Sequence, residues 1–162
     1  MTLADHRAAG EELIALCDEI CGAGVPPLGA LAQARLLAPM KGAAHDPVHH
    51  AEGDPLVHTH MVVEALLALE EFGALKAHER QVMVLAALLH DSAKPETAVV
   101  VDGRVSHPSH APRGARKARA ALYAAGLDPS LRPQTVWRTQ VHIRAKVTPS
   151  VRTDEPDPVT RL

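Results

Sequence analysis

One segment, residues 76–91, constrains the fold more than any other because as a helix it is apolar on nearly every side. The run Val-Met-Val-Leu-Ala-Ala-Leu-Leu fills positions 82–89. A helix that is hydrophobic all round is buried in the middle of a domain, so it needs other helices packed around it. The segment finishes with His90-Asp91, and Pro95 follows closely. We therefore predict a central helix that carries His90 and Asp91 at its C-terminal end.

The rest of the pattern predicts an all-α protein, a helical bundle with one small β-hairpin. Leu13, Leu16 and Ile20 recur at helical spacing in an amphipathic segment, residues 4–21. Asp102-Gly103 between two valine-rich runs is typical of a hairpin turn. We also predict helices over 26–38, 58–72, 109–125 and 134–145, a loop over 39–57, and an extended tail from 148.

Composition narrows the class of protein further. Aromatic residues make up only 2% of the chain, which argues against a large β-sandwich. The net charge of −2 gives no overall attraction to nucleic acid, although it does not exclude a local basic patch. The cysteines, Cys17 and Cys21, fit a packed helix face, and their number excludes a disulfide framework. With no signal-like start and no apolar run of roughly 20 residues, we expect a cytoplasmic protein without a membrane partner.

Histidine is abundant, with 11 residues in the chain, and it is the commonest metal ligand in proteins. His58 shares a helix face with Val62 and Leu69, whereas His60 lies about 200° away and is expected to face solvent. Alone, His58 is better explained as a core histidine bonded to a carbonyl, and His90-Asp91 is equally explained as a C-terminal ion pair. Together they favour a divalent transition metal (Mn, Ni, Fe, Co or Zn), because a buried carboxylate must be paired or coordinated.

The local sequence around these residues is more specific. Four motifs follow one another: Glu-Gly-Asp-Pro-Leu-Val-His-Thr-His-Met-Val-Val-Glu-Ala (52–65), Ala-Ala-Leu-Leu-His-Asp-Ser-Ala-Lys-Pro (86–95), Asp-Gly-Arg (102–104) and Ser-His-Pro-Ser-His-Ala-Pro-Arg-Gly-Ala (106–115). They resemble the HD superfamily of metal-dependent phosphohydrolases, and among them the HD domains of bacterial tRNA nucleotidyltransferases and of polynucleotide-kinase-linked proteins. The resemblance implies a helix over 1–25 packed on the core, an HD phosphohydrolase domain over 26–147, and a tail over 148–162.

The resemblance also implies a set of site residues. His58, His90 and Asp91 match the ligands of the first metal ion, and Asp91 would also orient the attacking water. Lys94 matches a lysine that contacts phosphate, and with Asp91 it forms the expected catalytic pair. His110 and His142 match histidines that serve a second ion or the substrate phosphate, so the implied cofactor is one or two ions.

The sequence departs from the family pattern in the last third of the chain. The family's final aspartate ligand lies on a helix after the downstream histidine, whereas Asp154 and Asp157 lie in a proline-broken tail. Paired histidines are common where this chain has Val141-His142. A catalytically incomplete HD domain that binds RNA or a protein partner is therefore the alternative to an active enzyme.

The expected substrate and partners rest on the resemblance and on a group of basic residues in the helix predicted over 109–125. His107 and Arg113 are candidate substrate-binding residues, and Arg113, Arg116 and Lys117 share one helix face that is either a solvated surface or a phosphate-binding surface. We expect hydrolysis of nucleotide or RNA 3′-end phosphoesters, with 2′,3′-cyclic phosphodiesterase and 2′-phosphatase activity as the narrow hypothesis. An HD hydrolase of (d)NTPs or signalling nucleotides is a further alternative.

Two other sequence features bear on this hypothesis. The resemblance allows a kinase or nucleotidyltransferase partner domain. No Gly-x-x-x-x-Gly-Lys-Ser/Thr phosphate-binding loop occurs in this sequence, so any kinase partner domain would lie beyond residue 162 or on another chain. His45-Asp46 is a second His-Asp pair, but Pro47 follows it and no apolar helix precedes it. We therefore do not expect His45 to bind metal.

Overall fold

The computed structural model describes residues 1–45 and 53–128, and within them the chain is built from α-helices and one hairpin. The helices are α1 (Leu3–Ala23), α2 (Leu28–Leu31), α3 (Pro55–Leu67), α4 (Glu70–Ala74), α5 (Ala77–Leu89), α6 (Lys94–Thr97) and α7 (His110–Ala124), with a 3₁₀ turn over Ala38–Met40. Strands β1 (Val99–Val101) and β2 (Arg104–Ser106) form the hairpin. This confirms the predicted all-α class with one small β-hairpin.

Helix α5 is the centre of the core, as its apolar run predicts. Val82 and the six residues from Val84 to Leu89 are all buried. Helices α1, α3 and α7 pack around it, and α1 also packs along α7. Because the surrounding helices cover α5 on several sides, its C-terminal end is held between α3 and α7, and this arrangement positions the site.

Helix α1 has the buried face that its sequence predicts, and its N-terminus is capped. Thr2 and Asp5 form a reciprocal capping box at its N-terminus. Its buried face holds Leu13, Cys17 and Ile20. Cys17 donates its thiol hydrogen to the Gln81 carbonyl oxygen at 3.5 Å, and burial raises the pKa of this thiol. The cysteine is therefore a core residue, as expected from the packed helix face.

Several predicted helix boundaries differ from the structure, and the helix predicted over 26–38 is reduced to Leu28–Leu31 followed by turns. Helix α3 begins at Pro55 rather than near residue 58, because the Asp54 carboxylate accepts hydrogen bonds from the amides of Leu56 and Val57, both at 2.9 Å. The same predicted helix also stops early, since Leu69 is extended and separates α3 from α4. Pro95 does not directly end α5 but lies in the first turn of α6. A proline is tolerated there because the first amide hydrogens of a helix have no partner within the helix.

The hairpin confirms the turn predicted from Asp102-Gly103. Val100 pairs with Val105 in an antiparallel register, and both turn residues have positive φ, 51° at Asp102 and 75° at Gly103. Such angles match a two-residue turn whose twist suits the flanking strands. The hairpin returns the chain to the C-terminal end of α5, where α7 starts.

One further expectation concerns the described residues, and two others lie outside them. No helix among them is both long and apolar enough to cross a membrane. The helix predicted over 134–145 and the tail predicted from 148 lie outside the described residues.

Candidate metal centre

Three of the predicted metal ligands come together at the C-terminal end of α5. His58 in α3, His90 and Asp91 each offer a ligand atom, and these atoms lie within 4.8 Å of one another. The rings of His58 and His90 have their centroids 5.5 Å apart. Asp91 is buried and the two histidines are partly buried. The group can hold a metal ion.

The chain leaves α5 through a tight turn that directs these side chains into the site. The Ser92 amide donates to the Leu89 carbonyl oxygen at 3.2 Å, and the Lys94 amide donates to the Asp91 carbonyl oxygen at 2.9 Å. The Ser92 hydroxyl adds a further bond to Leu89 at 2.8 Å. Adjacent residues on a helix point about 100° apart, so this turn presents His90 and Asp91 on two sides of one space.

The facing atoms of His90 and Asp91 lie close together at the site. His90 donates its Nδ1 hydrogen to the Ala87 carbonyl oxygen at 2.7 Å, which leaves the Nε2 lone pair directed at the site. Nε2 lies 3.1 Å from Asp91 Oδ2, and it is buried without a hydrogen bond to any described group. Asp91 Oδ2 is also buried, and its nearest described cation is the Lys94 ammonium, 2.8 Å away in an ion pair. A lone pair and a carboxylate at this distance repel each other unless a proton or a metal ion lies between them. These donor atoms therefore fit a divalent cation.

The charges around Asp91 favour its ionised form. Burial opposes charge on both residues, but the Asp91 carboxylate still raises the pKa of His90. In turn, His90 and Lys94 hold the pKa of Asp91 well below its ordinary value despite burial. An ionised carboxylate is the form that binds metal, and a proton on His90 competes with a metal ion for the same nitrogen.

Lys94 lies inside the site, in agreement with its predicted place next to the ligands. The residue is only 4% exposed, and its Nζ lies 2.8 Å from Asp91 Oδ2. The same Nζ lies 2.7 Å from Nε2 of His45. His45 does not belong to the group of three ligands, but its contact with Lys94 places it at the edge of the site.

No sequence signal placed His45 at the site, because a contact made by a loop leaves no periodic pattern. The structure supplies the reason for its position. The Gly42 amide donates to Asp54 Oδ2 at 2.6 Å, which ties the loop to the residue that caps α3. The loop therefore crosses the first turn of α3, where the ring of His45 lies 6.1 Å from that of His58.

His107 and His110 also line the site, and the ring of His107 lies 5.6 Å from that of His45. His110 Nε2 lies 3.7 Å from Asp91 Oδ1, and its Nδ1 donates to the His107 carbonyl oxygen at 2.8 Å. His107 Nδ1 donates to the Lys94 carbonyl oxygen at 3.0 Å, while its Nε2 is buried without a hydrogen bond to any described group. Burial, together with the positive charge of Lys94, lowers the pKa of His107. Both residues are near the site as predicted, whereas His142 lies outside the described residues.

The predicted basic face of α7 is divided between two roles. Arg113 and Arg116 are exposed one to two turns from His110. Lys117 instead donates to the Ser92 carbonyl oxygen at 2.9 Å and pairs with Glu96. Lys117 therefore braces the turn after Asp91 and is not available as an exposed phosphate contact.

His60 differs from its expected position, because it is not directed into solvent. Its Nε2 donates to the Pro26 carbonyl oxygen at 3.1 Å, and its Nδ1 lies 3.4 Å from Glu64 Oε2. These contacts lie on the side of α3 away from His58. The two histidines, two residues apart, thus have separate roles: His58 in the site and His60 in joining α3 to the segment before α2.

The His60→Ala substitution is expected to lower the free energy of unfolding by about 1 kcal/mol, the typical contribution of one hydrogen bond. Metal content should stay at the wild-type level because His60 contributes no atom to the ligand group. The matched variant is His58→Ala on the same helix, for which we expect loss of bound metal. Thermal unfolding and elemental analysis measure both quantities, and equal metal loss in the two variants would contradict this division.

Comparison with known proteins adds no relative: no protein-family model, no curated protein and no solved structure matches this chain. The site is therefore defined by its own geometry, in which three ligand residues, a buried lysine and further histidines surround the end of one buried helix.

Proposed function

We propose that this protein is a metal-dependent phosphohydrolase of the HD type that cleaves nucleotide or RNA-end phosphoesters. The observation that carries the proposal is the group of ligand atoms from His58, His90 and Asp91, which lie within 4.8 Å of one another. Within it, the buried Nε2 of His90 has no hydrogen bond to a described residue, and a stable fold rarely leaves such an atom unsatisfied unless a ligand uses it.

The proposed cofactor is a divalent transition ion, Mn, Ni, Fe, Co or Zn, held by His58, His90 and Asp91. Imidazole and carboxylate ligands together suit these ions. When bound, the ion supplies a Lewis acid that lowers the pKa of water and polarises the phosphoryl group. A second ion, using His110 and His142, rests on the resemblance to HD proteins.

The remaining residues supply charge and proton transfer. The ionised Asp91 carboxylate orients the attacking water, and the Lys94 ammonium binds a phosphoryl oxygen. His110 Nε2 accepts a proton from the water or, once protonated, delivers one to the leaving oxygen. His107 and the exposed Arg113 stand on the same side as His110 and are the proposed contacts to the rest of the phosphoester.

The substrate is proposed on resemblance, because the geometry supports phosphoester chemistry without choosing the leaving group. The narrow hypothesis is a 2′,3′-cyclic phosphodiesterase and 2′-phosphatase acting on RNA ends. The other hydrolase candidates are (d)NTPs and signalling nucleotides.

The proposal is tested by metal analysis together with a hydrolysis panel. Metal-free protein is loaded in turn with each of the five ions and assayed with bis-p-nitrophenyl phosphate, 2′,3′-cAMP, 2′-AMP and a dNTP. We expect bound metal at one or two ions per chain, hydrolysis that depends on it, and loss of hydrolysis after chelation. Preference for 2′,3′-cAMP over the dNTP supports the narrow hypothesis.

The second candidate function is a catalytically incomplete domain that binds RNA, and it is favoured by the exposed Arg113, Arg116 and Arg119 on α7. It predicts binding of an RNA 3′ end without turnover. Metal-free protein that binds RNA, and metal-loaded protein that hydrolyses none of the panel, would together select this candidate over the enzyme.

A further inference from the structure

Lys94 is held from two sides by groups of different charge. Its buried ammonium lies 2.8 Å from the Asp91 carboxylate and 2.7 Å from the imidazole of His45. An ammonium has three hydrogens. The two contacts with described groups use two of them, so one hydrogen remains for an oxygen of a ligand.

The contact with Asp91 conflicts with metal binding. Asp91 Oδ2 faces both His90 Nε2 and the Lys94 ammonium. If a divalent cation uses this carboxylate, two positive groups share one anion at short range, and they repel each other strongly in a buried site. Lys94 then needs another acceptor if it is to remain at the site.

His45 is such an acceptor, and its ring is held in the required orientation. Nδ1 lies 3.3 Å from the Gly53 carbonyl oxygen, which can only accept, so Nδ1 carries the hydrogen. Nε2 therefore presents its lone pair to Lys94. The loop that carries His45 is fixed by the bond from the Gly42 amide to Asp54.

We propose that His45 is a positioning residue that keeps the Lys94 ammonium at the phosphate-binding edge of the site when Asp91 holds a metal ion. The role rests on the function proposed above, because it assigns Lys94 to a phosphoryl oxygen. His45 acts through Lys94 and supplies no metal ligand, in keeping with its place outside the ligand group.

The experiment measures binding of inorganic phosphate to the Mn²⁺-loaded protein, so it does not depend on turnover. We expect His45→Ala to weaken phosphate binding by about tenfold, the size of a lost hydrogen bond to a charged group. His45→Gln should restore binding, because its side-chain oxygen reaches the place of Nε2, whereas the shorter His45→Asn should not. His78→Ala, at an exposed histidine of α5, is the control for an ordinary surface change.

Two further measurements separate positioning from other roles. In a Lys94→Ala background, His45→Ala should produce no additional loss of phosphate binding, because the residue through which it acts is gone. Affinity for Mn²⁺ alone should stay near that of wild type. An additional loss in the Lys94→Ala background, or loss of Mn²⁺ affinity, overturns the proposal.

Failure of this proposal can be told apart from failure of the proposed function. Wild-type protein that binds phosphate in the His45-dependent manner but hydrolyses no phosphoester contradicts the enzyme and leaves the positioning role supported. Metal-loaded wild-type protein that does not bind phosphate overturns the positioning role directly.

Discussion

Replacing Asp91 by asparagine, or His90 by alanine, is expected to abolish metal-dependent phosphoester hydrolysis while the protein stays folded. Loss of a residue that merely supports a metal ligand already costs about 10–100-fold in affinity or activity, and loss of a ligand itself should cost at least about 100-fold. The asparagine side chain would offer a neutral oxygen in place of an ionised one, and the His90→Ala variant keeps the ion pair between Asp91 and Lys94. Initial rates with bis-p-nitrophenyl phosphate and metal content per chain measure the effect.

The choice of substitution at position 91 matters for the interpretation. Asp91→Ala removes the carboxylate beside the buried Lys94 ammonium, and breaking a buried ion pair in this way costs about 3–5 kcal/mol. Loss of activity in that variant would therefore mix loss of the site with loss of the fold. Asp91→Asn retains the shape of the side chain, so thermal unfolding can show that the variant is folded. If both Asp91→Asn and His90→Ala kept turnover and metal content close to wild type, the proposed role of these two residues as metal ligands would be wrong.

The sequence was sufficient to predict the parts of the site that belong to helices. An apolar run on all sides identified α5 as central, and His90-Asp91 followed at its end. The position of His58 on a helix face fixed its direction toward α5. In both cases the helix repeat of 3.6 residues converts spacing along the chain into direction in space, so the three ligands could be brought together before the structure was known.

The contacts made by loops could not be predicted in this way. His45 and Lys94 lie 49 residues apart in sequence, and no periodic pattern relates them. Lys117 shows what helical spacing cannot predict. The spacing placed Lys117 on the same helix face as Arg113, but it did not predict that Lys117 contacts the turn at Ser92. The early start of α3 could have been predicted from the sequence, because Asp54-Pro55 is a typical helix start in which a capping carboxylate is followed by proline.

The Gly10→Ala substitution is expected to destabilise the fold, although alanine is the better helix former. Gly10 lies in the middle of α1, where that helix crosses α7. A Cβ atom added there would overlap the Ala121 carbonyl oxygen and approach the Cβ of Ala125 to 2.6 Å. A backbone oxygen cannot rotate away, so α1 and α7 must separate. Such overpacking costs about 1–3 kcal/mol, and it is opposed by a gain of up to about 1 kcal/mol from helix propensity.

The same helix provides a matched control at Gly22, which has nothing within 4 Å of the place where a Cβ would be added. Here the propensity gain is unopposed, so Gly22→Ala should raise the free energy of unfolding by up to about 1 kcal/mol. Chemical denaturation of the two variants should therefore give changes of opposite sign for the same substitution on one helix. Since α7 also carries His110 and Lys117, the crossing at Gly10 connects the stability of the core to the support of the site. Stabilisation by Gly10→Ala would show that α1 and α7 are not in close contact at this point.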